Sequence, residues 1–278
     1  MKFIFIKLFY ILILFCFYKN IKSNINVLLN NDIINNTNNK IDANYIKSLK
    51  KVVYSALIGS YDKVPPIIKQ DGYDYFLFTD IEIDNKTTNW TILNINEKMN
   101  YSNKIELIKK QRFFKILPHL FFKDYDLSIY IDTTFKIIGD LDHFLLRILS
   151  PKLSIYILEH PFIGSINNEF KAVLKSKKDL NSSIIKLKNR YKSEKFPDNN
   201  GHAECCLIIR KHNNKKCINI MENWFREIRE NSHRDQLSFN YILWKIDYKS
   251  LKYISKKYIF EYFKQELFHL KKFEFHDK

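Results

Sequence analysis

Glycine is scarce in this chain: five in 278 residues, beside six prolines, four cysteines and three methionines. Each shortage excludes something. No G-x-G-x-x-G and no G-x-x-x-x-G-K-[ST] is present, so dinucleotide-binding dehydrogenases and P-loop kinases lose support. There is no G-x-S-x-G elbow and no H-E-x-x-H pair, which counts against serine hydrolases and zincins. The cysteines at 16, 205, 206 and 217 show no C-x-x-C or Cys/His spacing, so no zinc module is expected. A Cys206–Cys217 bridge is one outcome in a secreted chain; free buried thiols are the other. No internal repeat is visible.

What is present points to a packed body. Apolar residues make up 46% of the chain and aromatics 15%, ample for a core and incompatible with global disorder. The formal net charge is +16. A lysine-rich surface set by codon bias explains part of it; an anionic partner would explain the rest. A basic module binding nucleic acid or acidic lipid is a minor reading, because no RNP signature, RGG tract or zinc module accompanies the charge. No nucleic-acid partner is expected.

Three segments are expected. Residues 1–22 read as a signal anchor or signal peptide: Lys2 and Lys7 precede an unbroken apolar run from Leu8 to Tyr18. Residues 23–48 are Asn-rich and read as an irregular stem. Residues 49–278 are expected to form the folded body. Sequons at Asn35, Asn85, Asn89, Asn100 and Asn181 suit a single-pass type II enzyme of the Golgi or ER lumen if the source is eukaryotic. A bacterial source implies the inner membrane, facing the cytoplasm.

Within the body, apolar runs predict strands over 52–58, 73–80, 90–95, 126–132, 134–138, 153–158 and 204–210. Helices are predicted over 103–117, capped by Asn103 with Glu106 and stopped by Pro118, and over 141–149 and 217–231. In the last of these Ile218, Met221, Trp224, Phe225 and Ile228 share a face, and Asp235 is expected to cap a further helix. Strands alternating with helices predict an α/β sandwich with a mostly parallel central sheet. In such sheets ligands gather at the carboxyl ends of the strands.

The chemistry-bearing residues fall at those ends. Asp132 closes the strand of SIYIDTTFKI (128–137). With the Thr134 hydroxyl it would suit Mg²⁺ or Mn²⁺; otherwise it caps a turn. Arg112 and Lys115 lie one helical turn apart and could grip a diphosphate, or form an ordinary basic face. His160, before Pro161, sits at a loop mouth and could ligate metal or meet phosphate. Gly201 would allow close approach to a sugar and Glu204 would accept its hydroxyls. Asp235, flanked by Arg234 and Gln236, could orient or deprotonate an acceptor hydroxyl, or serve only as a cap.

Taken in order, YSALIGSYD (54–62), YDYFLFTD (73–80), QRFFKILPHLFFKDYDLSIYIDTTFKI (111–137), EHPF (159–162), GHAECCLIIRKHN (201–213) and RDQLSF (234–239) resemble the TOD/MUCI-type glycosyltransferase-like family. The resemblance implies a GT-A-like Rossmann-type sandwich that binds a nucleotide-diphospho-sugar donor and a glycan, lipid or protein acceptor. It implies that Leu57, Gly59, Tyr61 and Asp62 edge the nucleotide pocket and that Thr79 and Asp80 face base or ribose. Arg112 and Lys115 would meet the diphosphate, Asp132, Thr134 and His160 the metal, and Gly201, Arg234 and Gln236 the sugar nucleotide. Glu204 and Asp235 would be catalytic. The chain departs from the family at Thr133–Thr134, where a small residue and Asn are usual, and at His202, where Leu is usual. A GT-A-like fold with hydrolytic or lost chemistry is the alternative.

Overall fold

A computed structural model of the chain describes residues 41–59, 64, 66–83, 88–95, 102–161 and 164–265. The expected N-terminal apolar segment lies outside them. No helix among the described residues is long and apolar enough to cross a membrane. The body runs from Asp42 onward. Its first element corrects the expected extent of the irregular stem: Ala43–Ser48 is helix α1, because Asp42 accepts the Tyr45 N–H at 2.7 Å and Ile46 is buried.

The elements follow in chain order: β1 (Lys51–Leu57), β2 (Tyr73–Thr79), β3 (Thr91–Asn94), α2 (Lys104–Ile116), β4 (Leu127–Ile131), β5 (Phe135–Ile137) and α3 (Leu141–Ile148). Then come β6 (Ile155–Glu159), α4 (Ile166–Lys175), α5 (Asn181–Ser193), β7 (Ala203–Arg210), α6 (Lys215–Glu230), α7 (Asp235–Lys245), β8 (Leu251–Ile254), α8 (Lys256–Ile259) and β9 (Phe263–Gln265). Seven strands form one sheet in the order β3-β2-β1-β4-β7-β6-β8. The neighbours β3-β2, β2-β1, β1-β4 and β6-β8 run parallel, and only β7 opposes its neighbours. This is the mostly parallel α/β sheet that the apolar runs predict.

The sequence explains why these strands are central. Every residue of β1 and of β4 is buried, as a sheet covered on both faces demands. Asn103 caps α2 by accepting the Glu106 N–H at 3.2 Å, and Pro118 follows its end. On α6 the buried stripe is Cys217, Ile220, Met221, Trp224 and Ile228; Ile218 and Phe225 are only half-buried, a slight rotation from the predicted face. Cys205, Cys206 and Cys217 are free and buried, and burial raises all three thiols. The Cys206–Cys217 bridge is therefore absent.

Beyond the main sheet, β5 and β9 form a two-stranded antiparallel ribbon. Gly139 lets the chain close it. A Cβ there would lie 2.5 Å from the Glu261 carbonyl oxygen and 2.9 Å from Tyr262 Cα, both backbone. Gly139→Ala should therefore destabilise the protein by about 1–3 kcal/mol, as overpacking does, measured as a lower urea midpoint. An unchanged midpoint would show that the ribbon yields without cost.

Candidate active site

The strand of SIYIDTTFKI ends in a turn that carries its acid into a cleft. β4 ends at Ile131, where the Asp132 N–H still donates to the Cys206 carbonyl at 2.9 Å. The Asp132 carbonyl then accepts the Phe135 N–H at 2.9 Å, closing a turn over Thr133 and Thr134. The bend delivers both Asp132 and Thr134 to a cleft of about 190 Å³ at the carboxyl end of β4. Across it stand Arg112 and Lys115 from α2, Glu204 at the start of β7, and Arg234, Asp235 and Gln236 at the start of α7. Because β7 runs opposite to β4, its beginning meets the end of β4 on one rim.

Charges in the cleft are closely paired. Asp235 is buried, and its Oδ2 lies 2.8 Å from Lys115 Nζ and 3.2 Å from Arg112 Nε. Lys115, whose side chain is 1% exposed, also reaches Asp132 Oδ1 at 3.4 Å. That same oxygen accepts the Tyr130 hydroxyl at 2.6 Å, and Gln111 Nε2 donates to the Tyr130 oxygen at 2.8 Å. Burial alone would raise the Asp235 carboxyl, but Arg112, Lys115 and Arg234 outweigh it and hold it well below the usual carboxylate range. Asp235 is the first residue of α7 rather than its cap: its Oδ1 accepts the neighbouring Gln236 N–H at 3.1 Å.

Arg234 differs from the other two cations. Its Nη2 donates to Gln236 Oε1 at 3.3 Å, while its buried Nε has no hydrogen-bond partner among the described residues. Glu204 is held by Lys256, at 2.9 Å from Oε2 and 3.1 Å from Oε1.

Other expected residues lie elsewhere. His160 does not line the cleft; its N–H is tied to the His202 carbonyl at 3.0 Å, and its ring neighbours His202 at 5.3 Å. Burial and the charge of His202 lower its pKa against the pull of Glu204 and Glu169. No group of three His, Cys, Asp or Glu side chains placed to hold a metal occurs among the described residues. Of the expected set, Asp132 and Thr134 line the cleft, whereas His160 is tied through its backbone to His202, just before β7. Gly201 adopts φ +72°, and a Cβ there would meet Tyr253 Oη at 3.2 Å and Asn240 Nδ2 at 3.3 Å, so it packs against α7 and β8 and does not border the cleft. Leu57 and Thr79 are fully buried in the sheet, which leaves their side chains no face for a ligand. Gly59 and Asp80 meet each other: the Gly59 N–H donates to the Asp80 carboxylate at 3.0 Å. Tyr61 and Asp62 lie outside the described residues.

Sequence reasoning missed Tyr130, Lys256 and Gln265. Tyr130 precedes Asp132 by two along a strand, and that spacing could have revealed it. Lys256 and Gln265 carry no local signal; the β5–β9 pairing brings Gln265 to the cleft.

A family model described as TOD1/MUCI70, glycosyltransferase-like domain, matches residues 31–272. No curated protein matches the chain. Among solved structures, the WbbM bifunctional glycosyltransferase in its apo form matches at 9% identity over 74% of this chain and 39% of that one, with a TM-score of 0.46. A crystal structure of the glycosyltransferase GlyE from Streptococcus pneumoniae TIGR4 matches at 10% identity over 76% of this chain and 46% of that one, with a TM-score of 0.40. The chain spans less than half the length of these solved structures.

Proposed function

Because this chain belongs to the TOD1/MUCI70 glycosyltransferase-like family, we propose that it transfers a sugar from a nucleotide-diphosphate donor to a glycan, lipid or protein acceptor. One observation carries the reading: ionisable side chains spread from Arg112 to Asp235 converge on a single cleft at the sheet's rim. A diphosphate is the ligand its cations suit, with Arg234, half-buried in the cleft wall, making the first contact. Arg112 and Lys115 then add positive potential behind it, where charge develops on the departing diphosphate.

The two candidate catalytic acids divide their roles. Asp235 is a poor base, since its carboxylate is stabilised by three cations; it anchors Arg112 and Lys115 in place. Glu204 stands at the cleft wall with one cationic partner and is the better group to receive or orient an acceptor hydroxyl.

Metal dependence fits the donor atoms in one form. Asp132 Oδ1 takes the protein contacts, so Oδ2 and the Thr134 hydroxyl remain for a cation. Mg²⁺ is commonly held by one or two carboxylates together with substrate phosphates and water, which matches so small a donor set. Bound there, Mg²⁺ or Mn²⁺ would neutralise charge on the leaving diphosphate. The N-terminal segment is proposed to hold the enzyme at a membrane.

Thermal-shift measurements with UDP, GDP and CMP sugars, with and without Mn²⁺, test the reading. The matching donor should stabilise the protein by about 2.7 kcal/mol at a hundred times its dissociation constant, and Mn²⁺ should enlarge the shift. Absence of any shift across the panel would leave the hydrolytic, inactive or anion-binding alternatives.

A further inference from the structure

Asp179 lies in the turn between α4 and α5, far along the chain from the cleft residues, and is buried. Its Oδ1 accepts the Leu180 N–H at 2.7 Å, and its Oδ2 accepts the Ser232 hydroxyl at 2.6 Å and lies 3.3 Å from His233 Nδ1. Ser232 Oγ in turn accepts the Arg234 N–H at 3.1 Å. On the far side of the ring, His233 Nε2 stands 3.0 Å from the Lys178 carbonyl oxygen. The turn therefore grips the two residues directly before Arg234, Asp235 and Gln236.

The trio has the residue types of a nucleophilic triad but not its arrangement. The serine donates to the aspartate and not to the histidine, and all three residues are at most 3% exposed, so no substrate reaches them. A buried carboxylate with three donors around it is costly to desolvate and rigid once satisfied. We propose that Asp179 is a positioning residue which, through Ser232 and His233, sets where Arg234 and Asp235 stand in the cleft. Its part in turnover rests on the transferase reading above; its geometric role does not.

His233 gives the clamp a signature. Both ring nitrogens lie near acceptors, and a neutral imidazole carries one N–H, so only the protonated ring offers a proton toward both. The charged groups facing it are Asp179 from the α4–α5 turn, Arg234 on its own segment and Arg112 from α2. Burial lowers its pKa, Asp179 opposes this, and the two arginines add to the lowering. Removing the carboxylate should lower it further.

NMR on the labelled full chain reads both ends. Trp224 Nε1–H is shared between the Asp235 carbonyl at 3.2 Å and Ser238 Oγ at 3.1 Å, so its indole resonance, assigned with Trp224→Phe, reports the position of α7's first turn. In Asp179→Asn the His233 titration midpoint should fall and the Trp224 indole signal should move, while those of Trp90 and Trp244 stay. Ser232→Ala, which removes only the relay hydroxyl, should move the Trp224 signal in the same way and serves if Asp179→Asn does not fold. Donor turnover should drop about ten- to a hundredfold in either variant, with a smaller change in KM, as expected of mispositioned groups. Folded variants with an unmoved Trp224 indole signal overturn the proposal. A wild-type protein inert toward every nucleotide sugar overturns the transferase reading alone, because the indole measurement still decides the clamp.

Discussion

Asp235→Ala should lower the unfolding free energy at pH 7 by about 3–5 kcal/mol, the usual result of removing one partner from a buried ion pair. The carboxylate is buried and contacts Arg112 and Lys115. Without it, Lys115 keeps the 3.4 Å contact to the part-exposed Asp132 and its place over the Tyr130 ring at 4.9 Å, and Arg112 loses its contact with Asp235. Urea unfolding measures the loss through its midpoint. The pH dependence follows from the direction of the shift. The folded carboxyl lies below its ordinary value of 3.8, so its contribution is complete above that pH and is lost as the pH falls toward the folded value. The gap between natural and variant chains should thus stay constant from neutrality to about pH 5 and narrow only in stronger acid. A loss below about 1 kcal/mol would place this pair among weak surface ion pairs and remove Asp235 as the anchor of the cations.

Asp132→Asn should do the reverse: keep the fold and remove the activity. The side chain is 32% exposed, so its ion pair with Lys115 contributes no more than about 1 kcal/mol. The amide can still accept from Tyr130 but carries no charge. Turnover should fall by at least about a hundredfold, the scale of losing one electrostatic contact to a developing charge. The enlargement of the donor's thermal shift by Mn²⁺ should disappear as well. Natural turnover together with an intact Mn²⁺ response would separate Asp132 from both diphosphate and metal.

Much of the sheet is legible because β1, β2 and β4 are long apolar runs, which buried strands require. α5 is not, because its buried stripe is three residues, Ile184, Leu187 and Tyr191, set among lysines and polar residues. Only the stacking of Tyr191 on Tyr241 of α7, at 3.9 Å between ring centroids, shows what that stripe serves. The reversed direction of β7 is likewise invisible locally, since an apolar strand looks alike in either sense. Among the expected residues, Asp132, Arg112, Lys115, Glu204 and the Arg234–Gln236 run, singled out by residue type and order, line one cleft. The place of His160 outside the cleft lining is not legible, because its backbone partner, the His202 carbonyl, lies forty-two positions away by residue number.

The sequence by itself determined the chemical inventory: which strands are apolar enough to be central, which acids end them and which cations are available. The tertiary structure decided which charges neutralise one another. Lys115 and Arg112 are drawn to Asp235, Lys256 to Glu204, and Arg234 keeps a guanidinium nitrogen without a hydrogen-bond partner among the described residues. Those pairings depend on separations of a few ångströms and on the exclusion of water, and both arise only when remote segments pack together.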